Sequence, residues 1–269
     1  MGLVGPNGAG KTTLLHLAIG LLEPTAGTIE VFGTSPRRHP KEVLGHVGFV
    51  AQEHPLYRGF RVGEMLELGR RLNTTWDDDL ARTRLGRLGI ETAKKCGDLS
   101  GGQRAQVALC LALAKRPQLL MLDEPVSSLD PLARREFLQE LMTAVADNGC
   151  TVLLSSHVLA DVERICDYLV ILSRGNVQVA GDIEELVSGH RILVGPRRES
   201  GDRVAGARVV QATHGDRETT LIVRTNGRVL DPAWEQHGVG LEDLVLAYLR
   251  NTGAGMLPEP ELATVTETR

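Results

Sequence analysis

Aromatic side chains are scarce, at 3% of 269 residues. So small a supply excludes a surface that binds single strands by stacking successive bases. An excess of either charge is also missing: 30 basic residues stand against 34 acidic ones, for a formal net charge of -4. A chain so balanced exerts no general attraction on nucleic acid, and no nucleic-acid partner is expected. The four cysteines, Cys96, Cys110, Cys150 and Cys166, form no C-x-x-C pair and no cluster with histidines, which argues against a disulfide framework and a structural metal. Long apolar runs are absent too. The longest, residues 107–114, has eight members, whereas a membrane-spanning helix needs roughly 18. Residues 1–13 lack the cationic segment and apolar core of a secretory signal, so the expected location is the cytoplasm.

What is present is a globular composition, 42% hydrophobic and 24% charged, enough for one large domain or two small ones. Short β-type runs at 28–32, 46–51, 118–122, 151–155 and 168–172 alternate with helical stretches, the pattern of an α/β sheet. Residues 119–122 are apolar on both faces, as in a buried parallel strand. From 56 to 115 no strand signal appears, while 62–72 and 80–88 have helical spacing; this stretch is read as a helical subdomain. Arg174-Gly175 reads as a tight turn between 168–172 and a strand at 177–180. The patterning changes near residue 190, which divides a first domain, 1–189, from a small α+β accessory domain, 190–251. Within the latter, strands are expected at 191–194, 208–213 and 219–224, and Leu241, Leu244, Val245, Tyr248 and Leu249 form an apolar helical stripe. Residues 252–269, with Pro258 and Pro260, read as a disordered tail.

Three motifs carry chemistry. Gly5-Pro6-Asn7-Gly8-Ala9-Gly10-Lys11-Thr12 fits G-x-x-x-x-G-K-[ST] and precedes an apolar helix expected over 13–22. Its glycines let backbone N–H groups turn inward around phosphate oxygens, Lys11 supplies a point charge, and the Thr12 hydroxyl suits magnesium. Leu99-Ser100-Gly101-Gly102-Gln103 reads as a helix start with a capping box and as a second anion site. Because one phosphate cradle already exists, the second is expected to serve another molecule's nucleotide. Finally, Asp123-Glu124-Pro125 ends the apolar run 119–122. Two carboxylates leaving a buried strand need a cation; Asp123 is the expected magnesium holder, and Glu124 is expected to polarise the attacking water.

Together these motifs resemble the nucleotide-binding subunits of ATP-binding cassette (ABC) transporters, over about residues 2–186. The resemblance implies a phosphate-loop NTPase sheet, α/β in class, with a helical subdomain carrying the signature Ser100 to Gln103. Gln52 resembles the family's glutamine loop, which senses magnesium, water and the membrane partner. Ser127-Ser128-Leu129-Asp130 resembles the loop that communicates across the dimer, and His157 resembles the switch histidine that contacts the γ-phosphate. By the same resemblance two subunits, identical or different, face head to tail. ATP then lies between the loop ending in Thr12 and Thr13 of one and Ser100 to Gln103 of the other. Closure around ATP with Mg2+ drives an integral membrane permease, and the subunit is peripheral on the inner face of the membrane through that permease. Glu53, Leu56, Tyr57 and the helix from Val62 are expected to form the groove that receives a permease helix.

The short C-terminal unit and the Ser127 to Asp130 region resemble those of exporters with separately encoded permeases, so export is the expected direction. The competing readings are a soluble cassette ATPase acting in translation or DNA repair and, further off, a phosphate-loop kinase, which leaves the second motif unexplained. Family members place strands and an adenine-stacking aromatic ahead of the phosphate loop. Here only Met1 to Val4 precede Gly5, and the start is therefore read as truncated or misassigned.

Overall fold

The computed structural model describes residues 1–197, 204–225 and 231–255. They divide into two compact units, one formed by Lys11–Ser156 and one by Met1–Gly10 together with His157–Arg269. The chain opens with β1 (Gly2–Val4) and then enters the first of these units at α1 (Lys11–Ala18).

In the Lys11–Ser156 unit, α1 is followed by α2 (Pro40–His46), β2 (Val47–Val50), α3 (Val62–Leu72), α4 (Asp78–Arg87), α5 (Gly101–Ala114), β3 (Leu119–Asp123), α6 (Pro131–Asn148) and β4 (Thr151–Ser156). Strand β3 is central to a parallel set, with Phe49 opposite Met121 and Leu122 opposite Leu154. Leu120, Met121 and Leu122 are all buried, because helices cover both faces of a parallel sheet. On one side Leu15, Ala18, Val43, Val47 and Met121 form a continuous core. This packing delivers the C-terminal end of β3, where the two carboxylates stand, next to the start of α1.

Two expectations fail locally. The helix read over 13–22 spans Lys11–Ala18. It closes in a Schellman arrangement: Leu21 N–H donates to His16 O at 2.9 Å and Gly20 N–H to Leu17 O at 3.1 Å. Gly20 takes the left-handed conformation (φ +75) that this closure demands, leaving Leu21 and Leu22 exposed. The strand read over 28–32 reduces to one bridge, Val31 with Thr34. Phe32 (φ +55) and Gly33 (φ +73) form a two-residue turn there, so the chain reverses before a ladder can form.

Helices α3, α4 and α5 fall within the stretch 56–115. Helix α3 has the expected bounds, and Val62, Leu66, Ala81, Leu85, Val107, Cys110 and Ala114 of α3 to α5 make one buried cluster. Asp77 caps α4 by accepting from Leu80 N–H at 2.7 Å, which satisfies an otherwise orphaned donor.

In the other unit, β1 pairs in parallel with β5 (Tyr168–Ser173), which follows α7 (Leu159–Ile165). Strand β6 (Asn176–Asp182) returns antiparallel to β5 through the expected turn, with Arg174 at φ +51 and Gly175 at φ +79. After α8 (Ile183–Ser188) come β7 (His190–Pro196), β8 (Ala207–His214), β9 (Glu218–Thr225), β10 (Glu235–Gly238) and α9 (Leu241–Arg250). The four strands form an antiparallel sheet in the order β10-β7-β9-β8. A new sheet therefore begins at His190, yet α9 packs on β5 and β6 as well as β8. Residues 252–254, expected in the tail, form a 3-10 turn with Ala254 buried; residues 256–269 lie outside the described residues.

His190 and Tyr248 pin this unit. His190 Nδ1 donates to Leu186 O at 2.6 Å, which leaves Nε2 to accept from the Tyr248 hydroxyl at 2.8 Å. Burial, opposed by the Leu186 carbonyl and aided by Arg224, holds the His190 pKa below its ordinary 6.5. The unfolded chain therefore binds the proton first as pH falls. Stability from this group is present above pH 6.5 and is lost as pH drops from there to the lower folded value. Tyr248→Phe orphans Nε2 and is expected to cost about 1 to 3 kcal/mol, read as a lower urea midpoint at pH 7.5 than wild type.

Candidate functional site

The glycine-rich loop runs from β1 directly into α1. Gly5 is buried against the chain, and a Cβ there would meet Leu172 O at 2.2 Å. Gly8 (φ +79) and Gly10 (φ +102) adopt backbone angles that other residues resist. Ala9 N–H donates to Pro6 O at 3.1 Å, and Gly175 N–H donates to Ala9 O at 3.0 Å, so the loop is braced by the β5–β6 turn. Pro6, Asn7 and Gly8 are exposed, as are Thr12 and Thr13. Among the described residues nothing lies within 4 Å of a Cβ built on Gly8, an open approach suited to a polyanion.

Lys11, the first residue of α1, is 6% exposed, and its Nζ lies 3.3 Å from Glu124 Oε1. Glu124, the residue after β3, takes a left-handed conformation (φ +47); its N–H donates to Ser155 O at 3.1 Å. Asp123 is 2% exposed and its Oδ1 has no hydrogen-bond partner among the described residues; Ser155, opposite Asp123 on β4, likewise has an Oγ with none among them. A buried carboxylate oxygen left without a donor is costly unless a cation is to meet it. With hard oxygen donors on Asp123 and Thr12, the residues fit Mg2+.

Gln52 is exposed beyond β2, and its Nε2 donates to Ser127 Oγ at 3.4 Å. Ser127 Oγ in turn donates to Glu124 O at 2.9 Å. Gln52, Glu124 and Lys11 are thus joined in one chain of contacts. His157 directly follows the last residue of β4 and is exposed.

The signature forms a second group. Ser100 caps α5 through a capping box, its Oγ accepting from Gln103 N–H at 3.1 Å while Gln103 Oε1 accepts from Ser100 N–H at 3.3 Å and from Lys94 Nζ at 2.9 Å. The hydroxyl proton of Ser100 and the first-turn N–H groups of Gly101 and Gly102 remain for an anion. Gly102 packs against Ala133, and Gly101 approaches Leu129. Asp130 caps the adjoining α6, its Oδ1 accepting from Leu132 and Ala133 N–H at 3.0 Å each. The capping box therefore engages none of those three donors.

Beside β2 and α3 lies an apolar groove of about 540 Å³, lined among others by Phe49, Leu56, Met65, Leu68, Trp76 and Leu111. Leu56 belongs to its wall; Glu53 and Tyr57 are exposed outside the lining. One residue near the site escaped sequence reasoning. His54 is buried and has φ +46, and its ring stands 6.5 Å, centroid to centroid, from that of Phe137; a lone histidine in a loop carries no signal of either property.

The ABC transporter family profile matches residues 1–127. The Nod factor export ATP-binding protein I of Rhizobium leguminosarum bv. viciae is 33% identical over 240 residues, 87% of this chain and 72% of that one. The thiamine import ATP-binding protein ThiQ of Shigella flexneri is 35% identical over 198 residues, 70% of this chain and 82% of that protein. The chain spans 61% to 63% of the length of some other curated relatives it matches. A solved ATP-binding subunit of an ABC transporter superposes with a TM-score of 0.61 at 30% identity, covering 70% of this chain and 80% of that one. With its phosphate loop, its paired carboxylates after β3 and its signature helix in the family's order, the chain belongs to the ABC transporter family, among its ATP-binding proteins.

Proposed function

We propose that this chain hydrolyses ATP as one half of a dimeric ATPase that drives a separate membrane permease, working in export. The observation that carries the ATPase reading is the buried contact of Lys11 with Glu124 beside the unpartnered Oδ1 of Asp123. It brings together a cation for phosphates, a carboxylate for water and a carboxylate for a metal. The N–H groups of the Gly5 to Thr13 segment and the Lys11 ammonium bind the phosphates. Thr12, Asp123 and Gln52 would hold Mg2+, which when bound neutralises charge on the phosphate oxygens. Glu124 orients a water and accepts its proton as the water oxygen bonds the γ-phosphorus and the bridging oxygen departs with ADP. His157 steadies the γ-phosphate. Ser100 to Gln103 and Asp130 serve the ATP held by the other subunit, which explains why one chain has two anion sites. Phosphate release from ATP by the full chain, measured with and without magnesium, tests the reading; a chain that binds ATP and releases no phosphate rejects it.

Support for a permease comes from the groove around Leu56, a concave apolar surface of the kind that takes an amphipathic helix. Cysteines placed at Glu53 or Arg58, on the exposed rim, are expected to crosslink to a cytoplasmic helix of the permease. Crosslinks confined to residues 190–250 would place the permease elsewhere. Support for export is the span of the match to the Nod factor export protein, 240 residues against 198 for the thiamine import protein, so that the likeness to the exporter takes in more of the chain. Vesicles carrying the permease and this subunit should move substrate away from the ATP-accessible side.

A further inference from the structure

Helices α4 and α5 are fastened to each other. Ala81 and Leu85 of α4 share a buried cluster with Val107, Cys110 and Ala114 of α5, and the Cys110 thiol donates to Ala81 O at 3.3 Å. At the start of α4, Asp77 N–H donates to Ala114 O at 2.7 Å. Helix α6 meets this pair in two places. Near the N-termini the approach is close: a Cβ built on Gly102 of α5 would stand 2.9 Å from that of Ala133 on α6. Ser100 and Asp130, the caps of α5 and α6, lie within one turn of that contact. The second place is Glu140, about 15 Å along α6 from Asp130 at 1.5 Å per residue. There Arg84 of α4 reaches across, its Nη2 donating to Glu140 Oε2 at 2.8 Å and to Glu140 O at 3.0 Å. Arg84 is buried and Glu140 partly so.

A buried ion pair is a poor source of stability. Taking the guanidinium out of water offsets most of its attraction to the carboxylate, and well-packed apolar side chains of similar volume often serve as well or better. What the pair supplies is direction. One nitrogen donates to the side chain and to the main chain of Glu140 at once, a demand met at one placement of α4 on α6. A tie so far from the Gly102 contact fixes the angle between helices that the contact alone leaves open. We infer that Arg84 is a positioning residue: with Glu140 it sets how α5 lies on α6, and so where Ser100 stands relative to Asp130. These are the groups that serve the other subunit's nucleotide, so the inference rests on the shared-site reading above.

Two variants of the full chain separate direction from stability. Arg84→Met with Glu140→Leu keeps apolar volume and removes the donation; its urea midpoint should match or exceed that of wild type, while kcat for ATP falls about 10- to 100-fold. Glu140→Gln does the reverse. It leaves the guanidinium without a counter-charge and lowers the midpoint, yet keeps an acceptor for Nη2, so kcat should stay within about threefold of wild type. A kcat that follows the midpoint in both variants overturns the inference. Mixing then locates the defect. Paired with a Lys11→Ala chain, the double variant contributes its phosphate loop to a site whose signature is intact, and activity should reach that of a Lys11→Ala and Ser100→Arg mixture. Paired with a Ser100→Arg chain, it must supply the signature, and little activity should appear. Equal recovery with both partners, or recovery with neither, overturns the inference. Spin labels on Thr83→Cys and Arg135→Cys, exposed positions of α4 and α6, read the helix placement without turnover; the four native cysteines are buried. Their distance distribution should shift or broaden in the double variant, and an unchanged one overturns the inference. A Lys11→Ala and Ser100→Arg mixture that recovers nothing rejects the shared site instead, and the spin-label distances still decide on the tie.

Discussion

Glu124→Gln is expected to lower steady-state ATP turnover by about 10²- to 10⁴-fold, the range a lost general base commands, while ATP still binds. The amide keeps the size of the side chain and the hydrogen bonds of the turn, but it cannot take a proton from water. It also changes the partner of Lys11. In the wild type the ammonium stands 3.3 Å from a carboxylate oxygen, both groups buried, and phosphate must compete with that carboxylate for the same charge. With a neutral amide there, that carboxylate no longer competes with the polyphosphate for the ammonium, so ATP affinity should equal or exceed that of wild type. Phosphates that are bound and not cleaved hold the two subunits closed, and sedimentation with ATP and magnesium should show a dimer. Turnover near the wild-type rate in this variant would remove Glu124 from the role of base.

Lys11→Ala and Ser100→Arg are each expected to be inactive alone and to recover activity when mixed. Lys11→Ala removes the phosphate charge and also the ammonium that stands 3.3 Å from the buried Glu124 Oε1, a costly change in its own right. Ser100→Arg puts a bulky guanidinium where the cap and the first-turn N–H groups of α5 meet an anion. Loss of the cap itself costs about 1 kcal/mol, too little to unfold the chain. In a head-to-tail pair, each site takes its phosphate loop from one subunit and its signature from the other. A mixed dimer therefore contains one site with both halves intact. Random pairing of equal amounts makes about half the dimers mixed, each with one of two sites working, so roughly a quarter of wild-type activity should return if the sites act independently. Heterodimers that form and stay inactive would refute sharing of the site in trans.

The sequence alone determined the chemistry in contiguous stretches. Gly5 to Thr12, Ser100 to Gln103 and Asp123-Glu124 are each read within a few residues, because phosphate cradles, caps and strand ends are made by neighbours along the chain. Periodicity likewise placed α3 and the buried strand 119–122, since the side chains that define a face recur at fixed short intervals. Periodicity does not say where an element stops. It extended α1 through Leu22, where Gly20 closes the helix after Ala18, and it took 28–32 for a strand where Phe32 and Gly33 turn the chain. Tertiary structure alone decided that Lys11 meets Glu124, that Gln52 reaches Ser127 and that His54 is buried near Phe137. Those contacts join positions remote in the sequence, so they depend on the path of the sheet and not on local spacing. The left-handed backbone at His54 and Glu124 belongs to the same class. Such a φ is uncommon outside glycine, although histidine adopts it more often than most side chains, so the sequence announces it at neither position.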